Sequence, residues 1–207
     1  MSGNDLTAPD AVATPMDAFL ERLGLLAASS QRLLADVKRR PSVGQALAVV
    51  LLAAAARALA DLARSGAASG AGALAGILFS VTAALVGWLA SAALWHGVSR
   101  LFGRNGRFLP FLCQVGWAGA ALWLLLPAAV VDAYAGSRWV HPVGGIVAET
   151  LFLLVVWRAL RLNYGWTPAR AAAVLFAPLV AFAALVAAAV AAGAMAVSGV
   201  LLAKLLL

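Results

Sequence analysis

The 207-residue chain is 64% hydrophobic and 11% charged, with a mean hydropathy of +0.97. A water-soluble domain runs nearer half apolar and a quarter charged, so this composition excludes an ordinary soluble protein and points to an all-α, polytopic transmembrane bundle with the lipid bilayer as its solvent. The net charge of +7 accompanies no nucleic-acid motif, so cations retained on one side of a membrane explain it and no nucleic-acid partner is expected.

The chain begins with a polar stretch that includes Asp5, Asp10 and Pro9. It offers no basic n-region followed by an apolar core, so targeting is expected from the first spanning helix. Thr14-Pro15-Met16-Asp17 then reads as a helix start, with Thr14 to cap, Pro15 at the first helical position and Asp17 beside the positive helix end. Met16, Phe19, Leu20, Leu23, Leu26, Leu33, Leu34 and Val37 recur on one face, which predicts one amphipathic helix ending at Lys38-Arg39-Arg40-Pro41. Such a helix lies in the membrane interface or packs on a partner. The expected division is residues 1–42 as a cytoplasmic N-terminal segment and 43–207 as a five-helix transmembrane domain.

Five apolar segments follow, near 43–63, 71–98, 108–131, 144–162 and 169–192, and 195–207 reads as a continuation of the last. The first is the weakest, because Arg57, Asp61 and Arg64 interrupt it and a central arginine costs about 2.5–3.5 kcal/mol on insertion. Pro127 and Pro178 predict kinks in the third and fifth. Arg22, Arg32, Lys38, Arg39 and Arg40 precede the first segment. Arg100, Arg104 and Arg107 fall between the second and third, and Arg158, Arg161 and Arg170 border the gap between the fourth and fifth. Arg64, Arg138 and Lys204 fall on the other side. The alternation predicts a cytoplasmic N-terminus and an outside C-terminus.

The second segment carries Gly72, Gly76, Ser80, Ala84, Gly87 and Ser91 at three- and four-residue spacing. A ribbon of small residues lets helix backbones approach in lipid, either inside the bundle or against a second protein. Trp88, Trp117 and Trp123 lie too deep for an interfacial belt and are expected between helices, whereas Tyr134 and Trp139 suit the outer interface. Glu149 is the one acid clearly inside an apolar segment, about 9 Å into the fourth helix. Arg57 is its candidate intramembrane partner, with Asp61 as a rival for Arg57. His96 and His141 fall on opposite sides and Cys113 stands alone, so no metal or disulfide is expected. The familiar zinc-protease, phosphate-loop and serine-hydrolase motifs do not occur, so neither catalytic residues nor a cofactor are expected.

Three stretches carry a family resemblance. "ALWHGVSRLFGRNGRF" closes the second segment with a basic, Gly-containing turn at Gly103 and Gly106; "QVGWAGAAL" places Gly116 and Trp117 together; "RALRLNYGWTPARAAAVLFAPL" leads into the last segment through Gly165 and Arg170. Together, over about residues 43–192, they resemble the bacterial branch of the Yip domain family, five-span membrane proteins named for interaction with Ypt/Rab GTPases in eukaryotes. The resemblance implies a non-enzymatic protein of a bacterial cytoplasmic membrane that works through contacts with other membrane proteins or with itself. The alternative reading is a small transporter or channel using Glu149.

Overall fold

A computed structural model describes residues 14–65, 70–136, 139–181 and 183–184. Every regular element among them is helical. The Thr14 start is as expected: Asp17 N–H donates to Thr14 Oγ1 at 3.2 Å and Thr14 N–H donates to Asp17 Oδ2 at 2.9 Å, a reciprocal capping box. The helix it opens is not the single one anticipated. Helix α1 (Pro15–Ala28) stops at Ser29, which lies in extended backbone and closes α1 while capping α2 (Ser30–Arg39). The elbow lets Leu33, Leu34 and Val37 of α2 reach full burial in the bundle. The apolar face of α2 therefore packs on this chain, whereas Met16 and Leu20 of α1, from the same predicted face, are exposed.

The remaining helices are α3 (Val43–Ser65), α4 (Gly70–Leu101), α5 (Phe108–Ala118), α6 (Leu125–Ala135) and α7 (Val140–Tyr164). A 3-10 turn, Gly119–Leu124, joins α5 directly to α6, so the three form one span. The turn ends just before Pro127. Proline removes one N–H and crowds the carbonyl four residues earlier, that of Trp123, and the local tightening answers both demands. A last helix, α8 (Pro168–Ala181), passes Pro178 without interruption.

Among the described residues four stretches are long and apolar enough to cross a membrane: Val43–Leu62, Gly72–Leu101, Phe108–Ala135 and Val140–Tyr164. The fifth expected segment is described only in its α8 portion; the remainder, with the 195–207 tail, lies outside the described residues, as do Arg138 and Lys204. Phe108–Ala135 is the hub. It holds the buried side chains Phe111, Gln114, Val115 and Trp117, and α2, α3, α4 and α7 all pack on it. By contrast α4 turns much of its surface outward, with Leu74, Leu78, Phe79, Val86, Leu89 and Leu94 exposed. So much contiguous apolar surface requires lipid around it. Tyr134 and Trp139 are exposed near the ends of α6 and α7.

Candidate functional site

Two regions concentrate polar chemistry. The first is the end of the bundle where α2, the 102–107 turn and the α7–α8 turn meet. Arg22, only 4% exposed, is its anchor. Its Nε donates to Asp36 Oδ2 at 2.8 Å, Nη1 to Gln45 Oε1 and Nη2 to the Arg40 carbonyl, both at 2.5 Å. One guanidinium thus joins α1, α2, the 40–42 connection and α3, using the planar fork that Lys lacks. Lys38 Nζ donates to the Leu162 carbonyl and Arg158 Nη1 to Ser30 Oγ, which fasten α2 to α7. Asn163 Nδ2 donates to the Arg107 carbonyl at 3.1 Å, fastening the turn before α5 to α7. His96 Nδ1 and Tyr164 Oη pair at 2.5 Å across α4 and α7.

Aromatic faces hold two more cations. The Arg104 guanidinium sits 5.4 Å from the Trp166 ring centroid, and that of Arg161 sits 5.0 Å from Trp157. Arg39, Arg40, Arg100, Arg107 and Arg170 all remain exposed at this end. The basic stretches that alternate along the sequence therefore share one end of the molecule.

The turn glycines have definite backbone and packing duties. Gly103 and Gly165 have φ of +77° and +66°, in the left-handed region where a side chain is strained. Gly165 closes α7, its N–H donating to the Arg161 carbonyl at 2.9 Å. Any Cβ at Gly106 would run into the Tyr164 ring and the Asn163 amide. A Cβ at Gly116 would fall 2.8 Å from Ala46 Cβ and 3.2 Å from Trp88 Nε1, so α5 meets α3 there through bare backbone. Trp117 beside it is fully buried, with its ring centroid 5.6 Å from that of Phe19. Arg170 lies in the first turn of α8, its N–H 3.5 Å from the Thr167 hydroxyl that accepts it.

Indole donors tie distant backbones. Trp88 Nε1 donates to the Leu112 carbonyl at 2.9 Å, Trp95 Nε1 to that of Leu175 at 3.1 Å and Trp123 Nε1 to that of Val49 at 3.4 Å. Gln114, fully buried, donates from Nε2 to the Leu34 carbonyl at 2.9 Å. A lone amide inside "FLCQVGW" was the one visible sign of that role. The partners of Arg22, 14 and 23 residues away, left no such sign.

A family model of the Yip1 domain matches residues 23–203. The chain belongs to the Yip1 domain family. The match begins within α1, so α2 and its attachment to the bundle lie inside the Yip1 domain. The basic turns, the Gly116 contact and the Trp88 and Trp95 bonds do too. No curated protein and no solved structure matches the chain.

The second polar region is a cavity of about 580 Å³ between α3 and α4, closed at the back by Val115, Gly119, Leu122 and Phe152. Arg57 and Asp61 line it. Ser80, Ala84, Gly87 and Ser91, four members of the small-residue ribbon, line it too, so here the ribbon creates space and not close helix contact. A Cβ added at Gly72, Gly76 or Gly87 would meet nothing within 4 Å. Glu149 is not part of the lining; it is exposed on α7. Among the described residues Arg22–Asp36 is the sole ion pair, so the structure does not join Arg57 to Glu149 or to Asp61. Nor do the described residues contain a cluster of three metal-ligating side chains.

Proposed function

We propose that this Yip1-family membrane protein is a non-enzymatic interaction or scaffold component of a bacterial cytoplasmic membrane. It crosses five times, with α8 beginning the fifth span, and its N-terminus and basic end face the cytoplasm. The observation that carries the reading is how the polar residues at the basic end are used. Arg22, Asp36, Lys38, Asn163 and Tyr164 are spent on fastening α1, α2, α4, α7 and the turn before α5 to one another. The exposed guanidinium groups of Arg39, Arg100 and Arg107 then stand on a rigid platform. Preorganised charge of this kind favours specific docking of an acidic partner surface over loose attraction to lipid. Transport through Glu149 lacks support: the cavity is apolar over most of its lining and does not reach that carboxylate.

Purification in mild detergent at native expression tests the reading. A stoichiometric membrane-protein companion is expected with the wild type and is expected to be lost from an Arg39→Glu/Arg100→Glu double variant. A solitary protein that conducts solute in liposomes would overturn it.

A further inference from the structure

We propose that the α3–α4 cavity binds one phospholipid with a phosphate–ammonium headgroup, one of its acyl chains in the apolar part and the headgroup on Arg57 and Asp61. Its volume of about 580 Å³ lies within the ~300–1,000 Å³ of small-molecule sites. The lining grades along its length. Val50, Ala54, Gly87 and Phe152 make a greasy interior, and the charges stand together toward the Ser65 end of α3. From Asp61 inward to Val50 is about 16 Å along the helix, near half of a ~30 Å hydrocarbon core, which is the depth of one leaflet. Asp61 itself is about 6 Å from the end of α3, where headgroups lie.

The charges set the headgroup. Arg57 and Asp61 are one helical turn apart, and neither engages in an ion pair among the described residues. A guanidinium with its fork of donors suits a phosphate, and a carboxylate one turn further out suits an ammonium that can donate. A purely anionic headgroup would satisfy Arg57 while facing the Asp61 carboxylate. Two charges at the rim of an apolar cavity are costly alone, and a zwitterion compensates both.

Entry is lateral. Phe79 lines the cavity yet is 75% exposed, so the lining is continuous with the lipid-facing flank of α4. The missing bulk at Ala84 and Gly87 supplies the room. The proposal is independent of the scaffold reading, since it needs only a surrounding bilayer.

The test uses full-length protein reconstituted with equal phosphatidylethanolamine, phosphatidylglycerol and phosphatidylcholine, washed in delipidating detergent and weighed by native mass spectrometry. One retained phosphatidylethanolamine per chain is expected. Gly87→Leu, whose Cβ has nothing within 4 Å and whose branch would enter the cavity, is expected to cut occupancy about tenfold at an unchanged unfolding midpoint. Ala83→Leu is the second filling variant should the first fold poorly. Asp61→Asn is expected to keep a lipid but lose the preference for phosphatidylethanolamine over phosphatidylglycerol. Three results would each overturn the proposal: wild type retaining no lipid or all three alike; both filling variants retaining as much as wild type; or a wild-type dimer that Gly87→Leu dissolves, which would give the face to a second copy.

Discussion

Gly116→Ala and Gly87→Ala are chemically the same change on neighbouring helices, and the structure predicts opposite outcomes. At position 116 the new methyl would lie 2.8 Å from Ala46 Cβ, where carbon atoms ordinarily rest about 3.5–4.0 Å apart. Helices α3 and α5 must then separate by about 0.7 Å or more, and the 3.2 Å approach to Trp88 Nε1 presses on its bond to the Leu112 carbonyl as well. Overpacking of this kind costs about 1–3 kcal/mol. At position 87 nothing stands within 4 Å. Both variants gain the same helix preference of alanine over glycine, so it cancels in the comparison. The difference between them is therefore the packing cost alone. At about 2–4 °C per kcal/mol for a chain of this size, Gly116→Ala should unfold about 2–12 °C below Gly87→Ala. Thermal unfolding followed by tryptophan fluorescence in one detergent measures this. Coincident midpoints would refute the claim that α5 meets α3 through bare backbone.

Further expectations follow from single contacts. Arg22→Met should destabilise by about 2 kcal/mol, less than a fully buried pair would lose because Asp36 is partly exposed, and urea titration of the detergent-solubilised protein reads it. Glu149→Gln should leave the unfolding midpoint within about 2 °C of wild type, because the carboxylate is exposed and has no ion partner among the described residues. The Thr14 hydroxyl and backbone N–H hold the Asp17 pKa below its ordinary 3.8. A depressed acid stabilises above its unfolded pKa and loses that contribution as pH falls through the folded value, so protection of the α1 amides, taken relative to their intrinsic exchange rates, should fall only below pH 3.8. Thr14→Ala should remove this dependence. Cys113 is fully buried, so an Asn105→Cys variant should accept one maleimide, and only a reagent admitted to the cytoplasm should reach it.

The spans were legible because hydrocarbon demands length and apolarity together, and both are written linearly. The Thr14 cap and the glycine turn at Gly103 were legible because their physics is local. The Ser29 elbow was not. "LLAASSQRLL" contains neither proline nor glycine, and the apolar period continues across it; Ser29 is the one local cap, and Leu33, Leu34 and Val37 become buried beyond it. The ribbon on α4 shows a different limit. Small residues permit close contact or leave room, and only the position of the opposing helix decides which. At Gly87 the opposing atoms are far; at Gly116, outside that ribbon, they touch. The charges failed for a related reason. Arg57 and Glu149 are both expensive in lipid, but shared expense does not place two side chains together.

Three of the indole bonds carry a mechanical implication. Each fixes one helix against a particular carbonyl of another: α4 against α5, α4 against α8, and the 3-10 turn against α3. In hydrocarbon no water stands by to take over a released N–H, so sliding a rod by even one residue strands a donor. Piston-like travel along the membrane normal is thereby blocked, while tilting about the pinned points leaves the bolts intact. Force applied at the basic end would therefore rock these helices and not push them through.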